Sequence, residues 1–367
     1  MRILIFNWRC WKHPWAGGAE NYLHEISWRL VKRGHQITWF ASSWKGLKER
    51  EVSDGMEVIR KGGKYSVYIH AFLTYITELR NEDFDVIVDD INGVPFFTPL
   101  FVRREKVAVL HHLVRRIFFK ELRFYLAFVG YFSERLVPVA YRKTKFITVS
   151  KSTKNELEDF GIKDIEVIYN GVDITINDNL DKSLNPSIAF LGRLKRYKRL
   201  DHLLKAYRIV SVRIPETELW IAGDGDQGIE LEKLAEEMGL TVDFLSHVDE
   251  ATKVKLLQEA WVFVTTSEKE GWGVTVLEAN ACGTPCIGYD VPGLRDSILN
   301  GETGFLVSDG DFEELASMIC KVLEDEILRE KLSRNALEYS KRFSWDESAL
   351  LFEMALENSI KINNYNT

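Results

Sequence analysis

A chain of 367 residues is too long for one typical core and suits two domains. With 46% hydrophobic residues, 28% charged residues and a net charge of −7, it is globular rather than disordered. The four cysteines, Cys10, Cys282, Cys286 and Cys320, are few and scattered, which suggests reduced thiols in a cytoplasmic protein. Cys282 and Cys286 lack the His or Cys partners of a zinc site. No stretch reaches the roughly twenty apolar residues of a membrane span, and the opening MRILIFNWRC is too short for a signal peptide.

Taken in order, Ile3–Asn7 reads as a strand. Ala19–Lys32 is a helix with Leu23, Ile26, Leu30 and Val31 on one face. Further strands are expected at Gln36–Phe40, Asp85–Val88, Lys106–Leu110, Phe146–Val149 and Glu166–Tyr169, most of them separated by helical segments. Asn170–Pro186, rich in Asn and Asp, reads as an interdomain linker. The alternation then restarts with strands at Ser187–Leu191, Glu218–Ala222, Val242–Leu245, Trp261–Thr265 and Cys286–Gly288. Between them lie helices at Arg199–Val210, Ile229–Glu237, Ala251–Gln258 and Val274–Cys282, and residues 345–360 read as a last helix. This is the βαβ pattern of parallel sheets covered on both faces, an α/β fold of two doubly wound halves. Such halves hold a ligand at the carboxyl ends of their strands. The expected domains are 1–176 and 186–344, with 345–367 a helix returning to the first.

Charge is uneven. Residues 1–178 carry 27 Lys and Arg against 22 Asp and Glu; the remainder carries 21 against 33. Residues 101–154 carry 13 against 3, a net of +10.

The most informative stretch runs from Ser267 to Pro285. It follows a buried strand, and Gly271 and Gly273 allow close backbone approach before a helix starts near Val274. Free N–H groups at a helix start suit a diphosphate. Glu270 precedes the turn and Glu278 follows inside the helix; a carboxylate accepts two hydrogen bonds from sugar hydroxyls. The plain alternative, two solvated glutamates, does not account for the glycines and helix start beside them. A second group, Phe190 to Lys198, sets Arg193 and Lys198 at a strand's carboxyl end, where a phosphate would lie; a solvated basic turn is the alternative. Gly17 and Gly18 precede the first helix, which suits close approach or a simple turn. His111 and His112 end a strand. The loop Trp8–Trp15 is rich in Trp, suited either to stacking on sugars or to packing.

The Ser267–Pro285 stretch resembles the E-x7-E signature of retaining GT-B glycosyltransferases of family GT4, with Trp272 where Phe is usual. The resemblance, spanning about residues 3–345, implies two Rossmann-like domains facing across a cleft and a nucleotide diphosphate-sugar donor. It places Glu270 on the sugar, Glu278 on the nucleotide ribose, and the amides around Gly271, Trp272, Gly273 and Val274 on the departing diphosphate. The family's G-R-L-x-x-x-K places Arg193 and Lys198 on that diphosphate, with Arg199 where Gly is common. Gly17 and Gly18 would lie beside the donor phosphates, His111 would contact the transferred sugar, and backbone near His247–Val248 would meet the base. No metal and no other cofactor is expected to be required. The implied reaction is retaining transfer of a hexose-type sugar to an acceptor hydroxyl, on a growing glycan or lipid-linked. A nucleotide-sugar epimerase or phosphorylase, or a catalytically silent GT-B binding subunit, are the alternatives.

Three patterns compete. Gly223-Asp-Gly225-Asp-Gln-Gly228 matches a dinucleotide fingerprint with Asp243 twenty residues on. A dehydrogenase would leave Arg193, Lys198, Glu270 and Glu278 without roles. Asp224 and Asp226 resemble a metal-binding D-x-D. Glu270 and Glu278 could be mistaken for a glycosidase pair. Finally, residues 113–145 interleave aromatic and basic residues, which suits a helix on an anionic membrane surface or a domain helix with a solvated basic face. The first reading would make the enzyme peripheral on the inner face of the cell membrane. No nucleic-acid motif accompanies the segment.

Overall fold

The computed structural model describes residues 1–174 and 182–364. It divides into two compact units, Met1–Gly171 with Trp345–Thr367, and Val172–Ser344. Of the expected linker, 175–181 lies outside the described residues. The part after it is fastened rather than loose. Lys182 Nζ donates to Ala260 O at 2.8 Å and Thr284 Oγ1 at 2.7 Å, and burial pushes its pKa down to about 7.

The first unit carries eight strands: β1 (Arg2–Phe6), β2 (Gln36–Ala41), β3 (Arg50–Ser53), β4 (Met56–Arg60), β5 (Val86–Ile91), β6 (Glu105–Leu110), β7 (Lys145–Thr148) and β8 (Ile165–Val167). Their order is β3-β4-β2-β1-β5-β6-β7-β8, parallel throughout except for β3 against β4. That edge hairpin was not anticipated. Its signal was present in the Asp54-Gly55 pair, where both residues adopt positive φ as a tight hairpin turn requires. The second unit carries β9 (Ser187–Leu191), β10 (Glu218–Ala222), β11 (Asp243–Leu245), β12 (Val262–Thr265), β13 (Cys286–Tyr289) and β14 (Gly304–Val307). Their order is β11-β10-β9-β12-β13-β14, all parallel. Strand β14 and the helices Phe312–Glu324 and Glu326–Ser340 were also missing from the sequence reading.

Both sheets reverse direction beside their first strand, at β1/β5 and at β9/β12. At such a switch the flanking connections diverge to opposite faces and leave a crevice at the carboxyl ends. Every position of β5 is buried, as a strand covered on both faces demands. One core cluster, built on Ile188, Phe190, Leu203, Ile221 and Phe263, fills the second unit. Separate clusters around Phe6, Phe40 and Ile87, and around Leu110, Tyr141 and Phe146, pack in the first.

The helix Trp345–Asn364 lies on the first unit against the helix Gly18–Lys32. Arg29 Nε reaches Asp346 at 2.7 Å, and Glu353 receives Arg33 and His35 at 2.6 Å each. Ser348 Oγ donates to Tyr169 O at 2.8 Å, and the Trp345 ring stands beside Tyr22. The seam closes because residue 171 is glycine: a Cβ there would lie 2.2 Å from the Trp345 nitrogen. Gly171→Ala should therefore lower the unfolding free energy by about 1–3 kcal/mol, the usual cost of overpacking. Urea denaturation with an unchanged m value reads this; an unchanged midpoint would show that the seam relaxes freely.

Candidate active site

In the second unit the carboxyl ends of β11, β10, β9 and β12 lie in a row. They carry, in that order, Val248, the Gly223–Gly225 turn, Arg193, and the loop Thr266–Gly273. Arg193 is exposed just past Gly192, and Val248 packs partly against the core. Lys198 Nζ donates to Glu270 Oε1, and Ser267 Oγ donates to the same oxygen at 2.6 Å. Burial works to lower the Lys198 pKa, but the adjacent Glu270 carboxylate outweighs it and the net shift is upward. A cation and a carboxylate thus occupy one small site, with side chains 11% and 18% exposed. The helix Val274–Ala281 begins beside them, with Gly273 at its N-cap at φ +90°. Its first N–H groups have no intrahelical partner and carry the positive end of the helix dipole. The Trp272 ring is buried and packs on Phe343 at 5.2 Å, so the side chain belongs to the core and its backbone alone faces the turn.

Glu278 lies inside the helix Val274–Ala281. It is paired with Lys253 at 2.6 Å, a residue that the sequence reading did not single out. Burial raises the Glu278 pKa, and the Lys253 ammonium works against that rise. The two glutamates thus have separate lysine partners.

Arg199, at the position where the family commonly has Gly, keeps the glycine-like backbone, with φ +50° and ψ +45°. An L residue is disfavoured there by roughly 1–2 kcal/mol. Its guanidinium offsets that cost by donating to Thr266 O at 3.0 Å and Ser267 O at 3.1 Å, pairing with Asp309, and lying 4.7 Å over the Tyr289 ring. Thr266 Oγ1 in turn donates to Lys198 O at 2.7 Å. The loop bearing Lys198 and the loop bearing Glu270 are therefore tied together through Arg199.

The apparent dinucleotide fingerprint has another cause. A Cβ on Gly223 would lie 2.0 Å from Gly192 O, and one on Gly225 2.0 Å from Leu194 O. These glycines admit the backbone of the Arg193 loop, which accounts for them without a dinucleotide. Lys195 takes Asp226 at 2.6 Å. Among the described residues no group of three or more His, Cys, Asp or Glu is placed to hold a metal ion.

In the first unit, Gly17 caps the helix Gly18–Lys32, and its N–H donates to Glu20 Oε2 at 2.8 Å. Buried Glu20 also accepts from Asn92 Nδ2 at 3.0 Å. His111, buried at the end of β6, places Nε2 3.0 Å from Asp90 Oδ1 at the end of β5. An ionised Asp90 can only accept, so it fixes the proton on Nε2 and leaves Nδ1 as the other ring position. Asp90 was missed; the signal was an acidic pair, Asp89-Asp90, inside an apolar strand. Asp89 is structural, since Thr98, Phe96 and Tyr141 all donate to it. Burial pushes the Asp90 pKa up to about 6, partly opposed by His111. In the Trp8–Trp15 loop, Trp11 stacks on His24 at 4.4 Å, whereas Trp15 is half exposed with Trp44 4.7 Å away.

Two doubly wound parallel sheets, each with a crevice at its carboxyl edge, are the architecture of the GT-B class. Residues 16–176 match the family described as Glycosyltransferase Family 4, and residues 173–339 match glycosyl transferases group 1. Sucrose-phosphate synthase from Thermosynechococcus elongatus has the same fold, at a TM-score of 0.81 and 20% identity, covering 97% of this chain and 98% of that one. So does Anabaena HepE in complex with UDP-glucose, at 0.76 and 20% identity, covering 98% and 100%. An uncharacterized glycosyltransferase of Methanocaldococcus jannaschii is 32% identical over 241 residues, which is 59% of this chain and 62% of that protein. The match therefore spans less than two thirds of that relative's length. This chain belongs to the GT4-type glycosyltransferases of the GT-B fold.

Two outcomes are expected. Because the folded Asp90 pKa lies above its ordinary 3.8, the native state holds more protons between 3.8 and about 6, and this group's contribution to stability falls as pH rises across that window. Asp90→Asn should then be no less stable at pH 7.5 and flatten the stability profile between pH 4 and 6, while sugar transfer drops at least about tenfold. A variant with full activity would remove Asp90 from the site. Arg199→Gly keeps the backbone conformation and deletes the ties; transfer should fall about tenfold with little change in melting temperature. Unchanged kinetics would show that the Glu270 loop holds itself.

Proposed function

We propose that the chain is a retaining glycosyltransferase that moves a hexose-type sugar from a nucleotide diphosphate-sugar to an acceptor hydroxyl, lipid-linked or on a growing glycan, without a required metal. The observation that carries this reading is the Lys198–Glu270 pair beside the start of the helix Val274–Ala281. A sugar diphosphate presents the complementary set, anionic oxygens next to hydroxyl donors. Lys198, Arg193 and the amides of Gly271–Val274 would neutralise charge growing on the departing diphosphate, which is stabilisation aimed at the transition state. Glu270 would accept from sugar hydroxyls, Glu278 from the ribose, and His111 would orient the transferred sugar. The acceptor oxygen bonds to the anomeric carbon on the face from which the diphosphate oxygen departs. Its proton passes to that leaving oxygen, so configuration is retained and no external base is needed. The Trp15 and Trp44 rings offer a stacking surface for an acceptor sugar.

The test is a thermal-shift screen of UDP-, GDP-, ADP- and dTDP-sugars, with and without magnesium. HepE was solved with UDP-glucose, so UDP-hexoses come first. We expect one nucleotide series to raise the melting temperature by several degrees without metal. Glu270→Ala should abolish transfer while preserving the fold. No stabilisation by any series would favour a silent binding subunit, and full activity in Glu270→Ala would remove the central assignment.

A further inference from the structure

The helix Phe124–Arg135 is inverted with respect to its unit. Its inward face is made of Ala127, Gly130, Ser133 and Glu134, all buried. Its outward face carries Phe124 at 75% exposure, Tyr125, Phe128, Val129 at 62% and Phe132. The inward residues are accounted for locally. A Cβ on Gly130 would lie 2.7 Å from the Phe118 ring, so small residues let the helix sit close. Glu134 accepts the backbone N–H groups of Val114 at 2.6 Å and Arg115 at 2.8 Å. Nothing in the core accounts for the outward face. There the rings of Phe124, Phe128 and Phe132 follow one another at helical spacing, with centroids 6.1 and 4.3 Å apart. The stripe continues through exposed Leu136 and Val139.

Its rim is basic. Arg115, Arg116, Lys120 and Arg123 precede the stripe and Arg142 and Lys143 follow it, all exposed. Arg135, also exposed, holds Tyr131 Oη at 2.9 Å. The acids in this stretch are Glu121, half-buried, and Glu134, turned inward. A second apolar face lies on the same side of the sheet. The connections β4→β5 and β6→β7 both run in one direction along the strand order, so right-handed crossovers put their helices on one face. The helix Val67–Thr74 on that face exposes Ile69, Phe72 and Leu73. The connection β1→β2 runs the other way, and its helix is the one that Trp345–Asn364 covers.

We propose that this face docks on an anionic lipid bilayer, with Phe124, Phe128 and Phe132 at the acyl–headgroup boundary and the basic rim against lipid phosphates. Charge complementarity selects the occupant. A symmetric contact with a second copy would oppose two basic rims, and a nucleic acid would leave the apolar stripe unused. The inference goes beyond the transfer reading and does not depend on it, because vesicle binding is read without donor.

The experiment is co-sedimentation of the full chain with vesicles of phosphatidylcholine, alone or mixed with phosphatidylglycerol. We expect binding to the mixed vesicles only, weakened by high salt. Phe124→Ser/Phe128→Ser should lower binding at least tenfold, and Arg115→Glu/Arg116→Glu should remove the preference for anionic lipid. Both variants should keep the wild-type circular dichroism and the same thermal response to nucleotide sugars, which separates failure here from failure of the donor reading. Equal binding by the Phe variant, or no binding by the wild type, overturns the proposal. So does a dimer in light scattering that Phe128→Ser dissolves without any vesicle binding.

Discussion

A parallel strand covered on both faces can place polar chemistry only at its ends, and the rest of this molecule follows from that constraint. Within β5 the side chains alternate between two packed layers, so the adjacent acids Asp89 and Asp90 turn to opposite sides. One is consumed by the loop after the strand, held by Thr98, Phe96 and Tyr141. The other meets His111 across the neighbouring strand end. Two residues of one type, one position apart, become a fastener and a site residue because the sheet assigns them different neighbours.

In the second unit the same constraint operates through backbone approach. Gly223 and Gly225 bring the end of β10 against the loop after β9, which sets where Arg193 and Lys198 emerge. Arg199 then bridges that loop to the one after β12. A largely buried ion pair between Lys198 and Glu270 carries a desolvation cost, since both charges lose most of their water. On the proposed reading, that cost keeps the two groups in one place for a ligand that needs both, one for phosphate and one for sugar hydroxyls.

The first unit distributes its surfaces unequally. One face of its sheet is covered by the helix Gly18–Lys32 and then by Trp345–Asn364, which returns from the end of the chain. The other face ends in helices whose large apolar residues point outward. The sequence shows aromatic and basic residues interleaved over 113–145, which suits either a helix on an anionic surface or a domain helix with a solvated basic face. Only the position of Gly130 against Phe118 and of Glu134 under Val114 shows that the stripe of Phe124, Phe128 and Phe132 lies on the outside.

By itself the sequence determined the two doubly wound halves, since apolar runs of strand length alternating with helical periodicity are local properties. The glycine turns with Glu270, Glu278, Arg193 and Lys198 were equally legible, because a strand end, close backbone approach and a helix start are encoded in consecutive residues. The tertiary structure decided what depends on partners far along the chain: the pairing of Glu278 with Lys253, of His111 with Asp90, the tie from Arg199 to Thr266, and the close approach of Gly223 and Gly225 to the backbone of the Arg193 loop. Spacing shows which residues can share a strand end; which of them touch depends on strand order and on how closely the loops pack. No local pattern carries that information.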